Sequence, residues 1–283
     1  TSFPLAVWLV VLSMTSLAER LVPDELWELF RRVVPETVVV RPQGGGRRRA
    51  GGDRECLAAI VFVATSGCTW RQVPPLFGPA WPTVYRRFAR WSKERVWARL
   101  HRVILDELGA RGRPGLVAFR HRLGECPGSQ RGLLTGPNPT DRGKNGSKIH
   151  LVTDRSGLPV AVAVSAANTH DSLALQPLVA SIPPNPQPPR TAPQTARQAS
   201  RRQGLRLSPP AAMAPLPRHR TTDRPPWHRD LTALGRHRWV IERTMSWLAG
   251  CRRLHRRYER KPEHFLAFTA IATSLINYRR LTK

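Results

Sequence analysis

A long stretch that is rich in proline and free of acidic residues limits which parts of this chain can form regular structure. Asp and Glu are absent from residues 172–222, and twelve of the 27 prolines fall between Pro183 and Pro226. Proline removes a backbone donor and breaks helices and inner strands. We therefore predict a basic, disordered segment over residues 185–233, with order returning near Gly235.

The first third of the chain shows helical periodicity. Apolar residues recur at intervals of three and four in four segments, whose faces are Leu26, Leu29, Phe30 and Val33; Leu57, Ile60, Val61 and Ala64; Val84, Phe88 and Trp91; and Val96, Leu100, Val103 and Ile104. We expect Gly67 to end the second helix, Ser92 to begin the fourth, and Thr69–Val73 to form a tight turn.

Short helices joined by tight turns are typical of a helix-turn-helix module. The helix that opens at Pro82 places Arg86, Arg87 and Arg90 beside or away from its apolar stripe, and Arg71 lies in the preceding turn. Arginines in this arrangement can follow a phosphate backbone and give salt-dependent binding. A solvated basic face on an ordinary helical domain explains the same spacing, so the pattern alone leaves both interpretations open.

The charge balance favours a polyanionic partner. The chain has 46 Lys and Arg against 19 Asp and Glu, a net charge of +27, and nucleic acid is the first candidate for such a protein. A genome rich in GC base pairs, and therefore in Arg and Pro codons, is the alternative source of this positive charge.

No cysteine pair has Cys-x-x-Cys spacing, which argues against a zinc site. Residues 1–13 are apolar but too short to span a membrane, and we expect Met14 to be the natural start.

The hydrophobic period changes to two after Lys148. Ile149, Leu151 and Thr153 alternate with other residues, residues 154–157 turn the chain, and Val160 begins a second alternating run. This pattern predicts a β-hairpin. A helix with Leu175, Leu178, Val179 and Ile182 on its apolar face follows, and two helices close the chain, carrying Val240, Ile241, Met245 and Leu248, then Phe265, Phe268, Ala272, Leu275 and Ile276.

Two blocks of this sequence resemble a known family. The run Leu133–Asp171 (LLTGPNPTDRGKNGSKIHLVTDRSGLPVAVAVSAANTHD) and the motif His237–Arg243 (HRWVIER) are similar to Asp-Asp-Glu (DDE) transposases of the insertion-sequence-five/four group. Thr69–Arg71 and Trp81–Phe88 match the end-binding region of that group. The resemblance implies a ribonuclease-H-like domain, Mg²⁺ held by three acids, DNA with terminal inverted repeats as substrate, a homo-oligomer, and a cytoplasmic, nucleoid-associated location.

The resemblance assigns only one of the three acids. Glu242 matches the third, in H-R-W-x-x-E-R, whereas the I-D-S and A-D-K-G-Y-D patterns of the first two are absent. Codons can be chosen for His121–Ser129 and Gln198–Arg220 so that a frame one base later encodes I-D-S-V-S-V-R-A in the first block and A-D-K-G-Y-D in the second. The two Asp codons would then straddle Arg122/Leu123 and Arg202/Gln203. The sequence therefore predicts a frame-damaged gene. Glu125, Asp141, Asp154 and Asp171 are not expected to replace the lost acids, since Asp154 suits a turn and Asp171 a helix cap.

We therefore expect an α/β protein with a helical DNA-binding region at residues 14–115 and an incomplete ribonuclease-H-like domain. In that domain an aberrant segment, 116–131, replaces the first catalytic strand. A hairpin and helix occupy 132–184, and C-terminal helices at 234–283 carry Glu242. Three hypotheses follow: a catalytically defective transposase, a DNA-binding inhibitor of an intact transposase, and a remnant that does not fold stably.

Overall fold

The computed structural model describes residues 17–36, 52–111, 122–128, 132–139, 141–154, 156–182 and 238–282. The predicted Pro-rich segment at 185–233, residues 1–13 and Met14 all lie outside the described residues. The helices are α1 (Asp24–Arg31), α2 (Asp53–Ser66), α3 (Trp81–Lys93), α4 (Val96–Ala110), α5 (Asp171–Ala180), α6 (Arg238–Ala249) and α7 (Pro262–Leu281). The strands are β1 (Arg122–Pro127), β2 (Gly136–Pro137), β3 (Asn145–Thr153) and β4 (Pro159–Ala166).

The N-terminal helices follow the predicted periodicity, with differences at two boundaries. Val33, predicted on the apolar face of the first helix, lies beyond the end of α1 at Arg31. Gly67 ends α2 in the left-handed conformation at φ +74°, as predicted. Ser92, in contrast, lies inside α3 and does not begin α4. Its hydroxyl donates to the carbonyl of Phe88 at 2.7 Å, so it bonds back into its own helix. The chain turns at Arg95, which has φ +54° and precedes α4.

The predicted tight turn at Thr69–Val73 is confirmed as a short 3-10 helix. Residues Trp70–Gln72 form the turn, and the Thr69 amide donates to the side-chain oxygen of Gln72 at 2.9 Å. This reciprocal capping holds the chain in a sharp bend between α2 and α3. It also fixes the position of Trp70 against the aromatic core.

Helix α7 is buried along most of its length and packs along α4. Its sequence begins with Pro262 at the first helical position and places Glu263 in the first turn, both of which favour a helix start. All side chains from Ala267 to Tyr278 are buried. The sequence pattern predicted one apolar face here, whereas the helix is covered on all sides.

An aromatic cluster joins the N-terminal helices to α7. The ring of Phe88 stacks on Phe268 with centroids 4.7 Å apart and lies 5.0 Å from Trp70. Phe30 meets Trp91 edge to face at 5.0 Å. Such contacts add to the hydrophobic burial of large rings, so the helical region and the C-terminal helix share one core.

Strand β3 is the centre of a small antiparallel sheet. It pairs with β4 on one side and with β1 and β2 on the other. Ile149 and Leu151 join the main core, whereas Val152 packs with Ala161 and Leu178 of α5 in a second, smaller core. The predicted hairpin and following helix are therefore confirmed, and both faces of β3 are covered.

Two cysteines contribute to the core of the described residues. Cys56 and Cys251 are buried core residues, and burial raises the pKa of each thiol to about 11, so both stay protonated at neutral pH.

In the portions of the chain that the structure describes, no helix combines the length and the apolar character needed to cross a bilayer.

Candidate functional site

Helix α6, which carries Glu242, is anchored on the hairpin turn between β3 and β4. Val240, Thr244 and Leu248 recur every four residues and are buried. The Thr244 hydroxyl donates to the carbonyl oxygen of Gly157 at 2.6 Å, and an Arg243 Nη donates to the carbonyl oxygen of Ser156 at 2.6 Å. The helix therefore has a fixed rotation about its own axis against the sheet.

That rotation places Glu242 on the outer side of the helix. A separation of two residues corresponds to about 200° around an α-helix, so Glu242 lies nearly opposite Val240 and Thr244. Its side chain is exposed. On the same helix, the guanidinium carbon of Arg243 lies 4.7 Å from the ring centroid of Trp239 and 4.9 Å from that of Trp247. Both tryptophans are exposed, so α6 presents aromatic and charged groups together.

The sheet brings the start of β1 to the same end as α6. Arg122 pairs with Leu151 and Leu123 with His150, close to where β3 ends at Thr153. The turn that follows β3 is the one that contacts α6. Arg122 and Leu123, over which the shifted frame would encode the first Asp, therefore lie at the end of the sheet that contacts the helix of Glu242, the residue predicted to be the third acid.

We predicted that an aberrant segment, 116–131, replaces the first catalytic strand, and part of this segment forms a strand. Residues 122–127 form β1 and pair with β3 over their full length. An antiparallel ladder uses main-chain groups, which all residues except proline supply in full, so a strand can form without the family's residues. The I-D-S pattern of the first acid is therefore absent from a segment that still forms a paired strand.

The donor set in this region does not fit a two-metal centre. Mg²⁺ requires several oxygen ligands, usually carboxylates. At the end of the sheet that contacts α6, the chain has Arg122 and Leu123 at the positions where the shifted frame would encode an Asp. Within the part of the chain that the structure describes, no group of three or more His, Cys, Asp or Glu residues is arranged to hold a metal ion.

The other acids considered from the sequence have local roles where they are described. Asp154 accepts from the Leu158 amide at 2.7 Å and from the Ser156 hydroxyl, which confirms its role in the turn. Asp171 is the first residue of α5. Asp141 lies 3.5 Å from the ammonium group of Lys144 in an exposed pair. The structure does not describe the side chain of Glu125.

The four predicted DNA-binding arginines do not have the same surroundings. Arg71 and Arg86 are exposed. Arg87 is half-buried and forms an ion pair with Asp53 at the start of α2, and Arg90 Nε donates to Glu94 at 3.0 Å. Arg86 is held by its own helix, donating to the Pro82 carbonyl at 3.2 Å. Arg71 and Arg86 are therefore better placed for a phosphate than Arg87 and Arg90.

The sequence patterns did not point to a cleft beside Arg71. The cleft, of about 410 Å³, is lined by Trp70, Trp81, Tyr85, Arg253, Tyr258, Glu259, Arg260, Lys261 and His264. It is formed by the Trp70 turn, the start of α3 and the segment that precedes α7. A signal was present in the dense basic and aromatic run Arg252–Lys261 (RRLHRRYERK), but its distance along the chain from Trp81 hid the association.

Comparison with known proteins identifies the family. A family profile described as "Putative transposase of IS4/5 family" matches residues 22–101, and one described as "Transposase DDE domain" matches residues 125–277. The chain therefore belongs to the IS4/5 family of DDE transposases, as its motifs predicted.

Two curated relatives come from Burkholderia cepacia. The "Putative transposase for insertion sequence element IS402" is 31% identical over 237 residues, which cover 81% of this chain and 96% of that protein. The "Insertion element IS402 uncharacterized 16.2 kDa protein" is 34% identical over 95 residues, which cover 33% of this chain and 64% of the relative. No solved structure matches the chain significantly.

Proposed function

We propose that this chain binds the ends of an insertion element as a transposase-family protein, and that in this form it lacks the metal-dependent cleavage and strand transfer of its family. The observation that carries the proposal is the residue pair Arg122–Leu123. These two residues lie on β1, which pairs with β3, at the end of the sheet that contacts the helix of Glu242. The scaffold is present, while the carboxylate that the family pattern requires there is absent.

The fold supports a ribonuclease-H-like domain. β1, β3 and β4 are adjacent and antiparallel, and α5 follows β4 and covers one face of the sheet. This is the arrangement expected at the start of such a domain. With one acid in place of three, the two metals that activate and stabilise the reacting oxygens in the family have too few ligands. Glu242 remains our candidate for the third acid.

The DNA-binding part of the proposal depends on charge and exposure. The chain carries a net charge of +27, and Arg71 and Arg86 are exposed on the turn and helix that match the end-binding region. Their guanidinium groups can contact phosphates and release counterions. We expect the functional form to be a homo-oligomer that engages terminal inverted repeats and target DNA in the bacterial cytoplasm.

A DNA-binding protein without activity can also act as an inhibitor. If it occupies the inverted repeats, an intact transposase of the same element is excluded from them. The shared core of the N-terminal helices and α7 favours this second function over an unfolded remnant, because the helical region is buried against a helix from the other end of the chain.

Binding is tested with a labelled duplex that carries the terminal inverted repeats flanking the gene, against a shuffled duplex of equal length. We expect preference for the repeats and an affinity that falls steeply between low and physiological salt. Equal affinity for both duplexes would count against recognition of element ends. Protection of the repeats from an intact transposase would establish the inhibitor function.

Catalysis is tested on the same duplex with Mg²⁺ or Mn²⁺, using the chain as it stands, its Glu242→Gln variant, and a version with both blocks translated one base later. We expect no cutting by the first two. The corrected version should cut, and Glu242→Gln in that background should abolish cutting. Cleavage by the present chain that is lost in Glu242→Gln would overturn the proposed defect.

The nucleotide sequence across codons 110–240 is an independent test. GAC codons one base out of frame over Arg122/Leu123 and Arg202/Gln203, with insertions or deletions at the block edges, would support frame damage. If the shifted frame does not encode these motifs, that explanation of the missing acids fails.

A further inference from the structure

The cleft beside Arg71 combines accessible aromatic rings with a cationic rim. Trp81 at the start of α3 is 39% exposed and Tyr258 is 47% exposed, although large aromatic side chains are usually covered. Tyr85 is half-buried between them and the core, with its ring 5.4 Å from Trp70 and 6.0 Å from His264. The inner rings are held in place by the aromatic core, so the wall of the cleft is rigid.

The carboxylate in this cleft forms an ion pair with an arginine. Glu259 is the one carboxylate among the described residues that line it, and it pairs with Arg253 at 2.8 Å, with side chains only 4% and 7% exposed. Its second oxygen accepts from the Tyr258 amide at 3.2 Å. Arg253 in turn donates to the Cys68 carbonyl at 2.8 Å. This buried pair stabilises the floor of the cleft, and the described residues that line the cleft expose no carboxylate.

The rim is positive. Arg260 and Lys261 are exposed at the mouth, on the residues that lead into α7. Arg71 and Arg256 extend this charge, since their guanidinium carbons lie 6.0 Å from the Trp81 ring and 5.8 Å from the Tyr258 ring. Burial lowers the pKa of His264, so this floor residue adds no charge at neutral pH. The cleft thus combines aromatic rings, two of which lie near arginine guanidinium groups, with a positively charged rim.

We propose that this cleft receives an unpaired base of the bound DNA, with the flanking phosphate at Lys261 and Arg260. This assignment rests on the proposed DNA-binding function and adds a contact to single-stranded or unstacked nucleotides. Sites for single-stranded nucleic acid combine aromatic side chains, on which bases stack, with a basic groove that follows the backbone. A volume of about 410 Å³ is within the range of small-ligand pockets, roughly 300–1,000 Å³, and holds a flat ring system.

The test uses a fluorescein-labelled oligothymidylate strand and a strand of the same length in which the central bases are replaced by abasic sites. Both carry the same backbone charge, so their difference measures the contribution of the bases. We expect the oligothymidylate to bind roughly tenfold more tightly. Trp81→Leu and Tyr258→Leu should reduce that ratio toward one, and Trp81→Phe should retain most of it.

The charge of the rim is tested separately. Lys261→Gln should lower the affinity for both strands and reduce the salt dependence of binding by about one charge, without changing their ratio. Lys93→Gln is the matched control, because Lys93 is exposed at the far end of α3 and outside the cleft. It should change binding less than Lys261→Gln does. Thermal unfolding of each variant confirms that the fold is retained.

The outcomes separate this inference from the function on which it rests. Preference for intact over abasic strands that depends on an aromatic residue at 81 supports the base site. Equal binding of both strands, with recognition of the inverted repeats retained, overturns the base site and leaves the proposed function standing. Failure to bind any DNA at low salt overturns both.

Discussion

The Thr244 hydroxyl lies 2.6 Å from the carbonyl oxygen of Gly157 and donates a hydrogen bond to it across 87 residues of sequence. The same hydroxyl lies 3.0 Å from the carbonyl of Val240 in its own helix. Gly157 has φ +85°, a conformation that suits glycine. One small residue in the hairpin turn and one hydroxyl on α6 therefore set where the Glu242 helix lies on the sheet.

Gly157→Ala should destabilise the protein and loosen α6. A Cβ at this position would lie 3.0 Å from Thr244 Oγ1 and 3.2 Å from Val240 Cγ1, and the positive φ adds backbone strain. We expect a loss of roughly 1–3 kcal/mol in the free energy of unfolding. Gly143→Ala is the control in chemical denaturation, since Gly143 has φ +72° but nothing within 4 Å. Equal losses in both variants would show that crowding against α6 contributes nothing.

Thr244→Val should cost about 1–2 kcal/mol, because it keeps the shape of the side chain but removes the donor to the buried Gly157 carbonyl. Thr244→Ser keeps the hydroxyl and should recover part of the loss. Hydrogen exchange at the amides of α6 measures whether the helix opens more often. A stability of Thr244→Val equal to that of the parent would contradict an anchoring role for this bond.

Acid should destabilise the protein through His101. This side chain is buried, its Nε2 lies 3.0 Å from the Pro159 carbonyl, and burial lowers its pKa from 6.5 to about 4. The native state therefore stays neutral while the unfolded state gains a proton below pH 6.5. The stabilising contribution is complete above pH 6.5 and is lost as the pH falls toward 4, by on the order of 3 kcal/mol in total.

The measurement is the free energy of unfolding from pH 7.5 to 4 for the parent chain and for His101→Gln. Glutamine retains a neutral donor and does not titrate, so the difference between the two curves should narrow as the pH falls. His264 also has a lowered pKa, but it is present in both proteins and cancels in the difference. Parallel curves over this interval would exclude the titration of His101.

Arg257→Met should be strongly destabilising even though the chain is rich in arginine. The Arg257 guanidinium is buried and donates at 2.7 Å to the carbonyls of Leu133 and Leu134 and to the Ser147 hydroxyl. Removing the guanidinium takes one charge-assisted hydrogen bond each from the Leu133 and Leu134 carbonyls and from the Ser147 hydroxyl, so we expect a loss of about 3 kcal/mol. Arg256→Met, at the exposed neighbouring position, should change the urea midpoint little. Similar midpoints for both variants would contradict this role.

Arg86 and Arg87 should separate DNA binding from stability. Arg86→Gln should weaken binding to the inverted repeats and lower the salt slope by about one, with little change in melting temperature. Arg87→Gln breaks the half-buried pair with Asp53 and should cost about 1 kcal/mol of stability. Titration of labelled DNA at several salt concentrations, together with thermal melts, distinguishes them. A larger loss of affinity in Arg87→Gln would reverse the assignment.

Much of the local structure could be predicted because it depends on near neighbours. The spacing of apolar residues located α1 to α4, the change to a period of two located the β3–β4 hairpin, and Gly67 marked the end of α2. The boundary at Ser92 was wrong because its hydroxyl can cap a following helix or bond back four residues, and the choice depends on Trp97, whose indole lies 3.3 Å away.

The site was predictable only in part. A short motif on α6 predicts that Glu242 is the third acid. No local pattern could place Arg122 at the end of the sheet that contacts this helix, because strand register depends on pairing between distant segments. The absence of the I-D-S pattern was readable from the sequence alone, whereas the formation of β1 was not, since main-chain pairing is insensitive to the side chains that define the motif.

The sequence by itself determined the helical and strand periodicities, the excess of positive charge and the family, because these depend on residue types and on spacings of a few positions. The tertiary structure decided which arginines are solvated and which are buried. Arg257 donates hydrogen bonds to carbonyls more than 120 residues away in the sequence. Trp81 and Tyr258 line the same cleft. Such contacts form only when segments far apart in the chain share one core, and their energy comes from burial that no local pattern records.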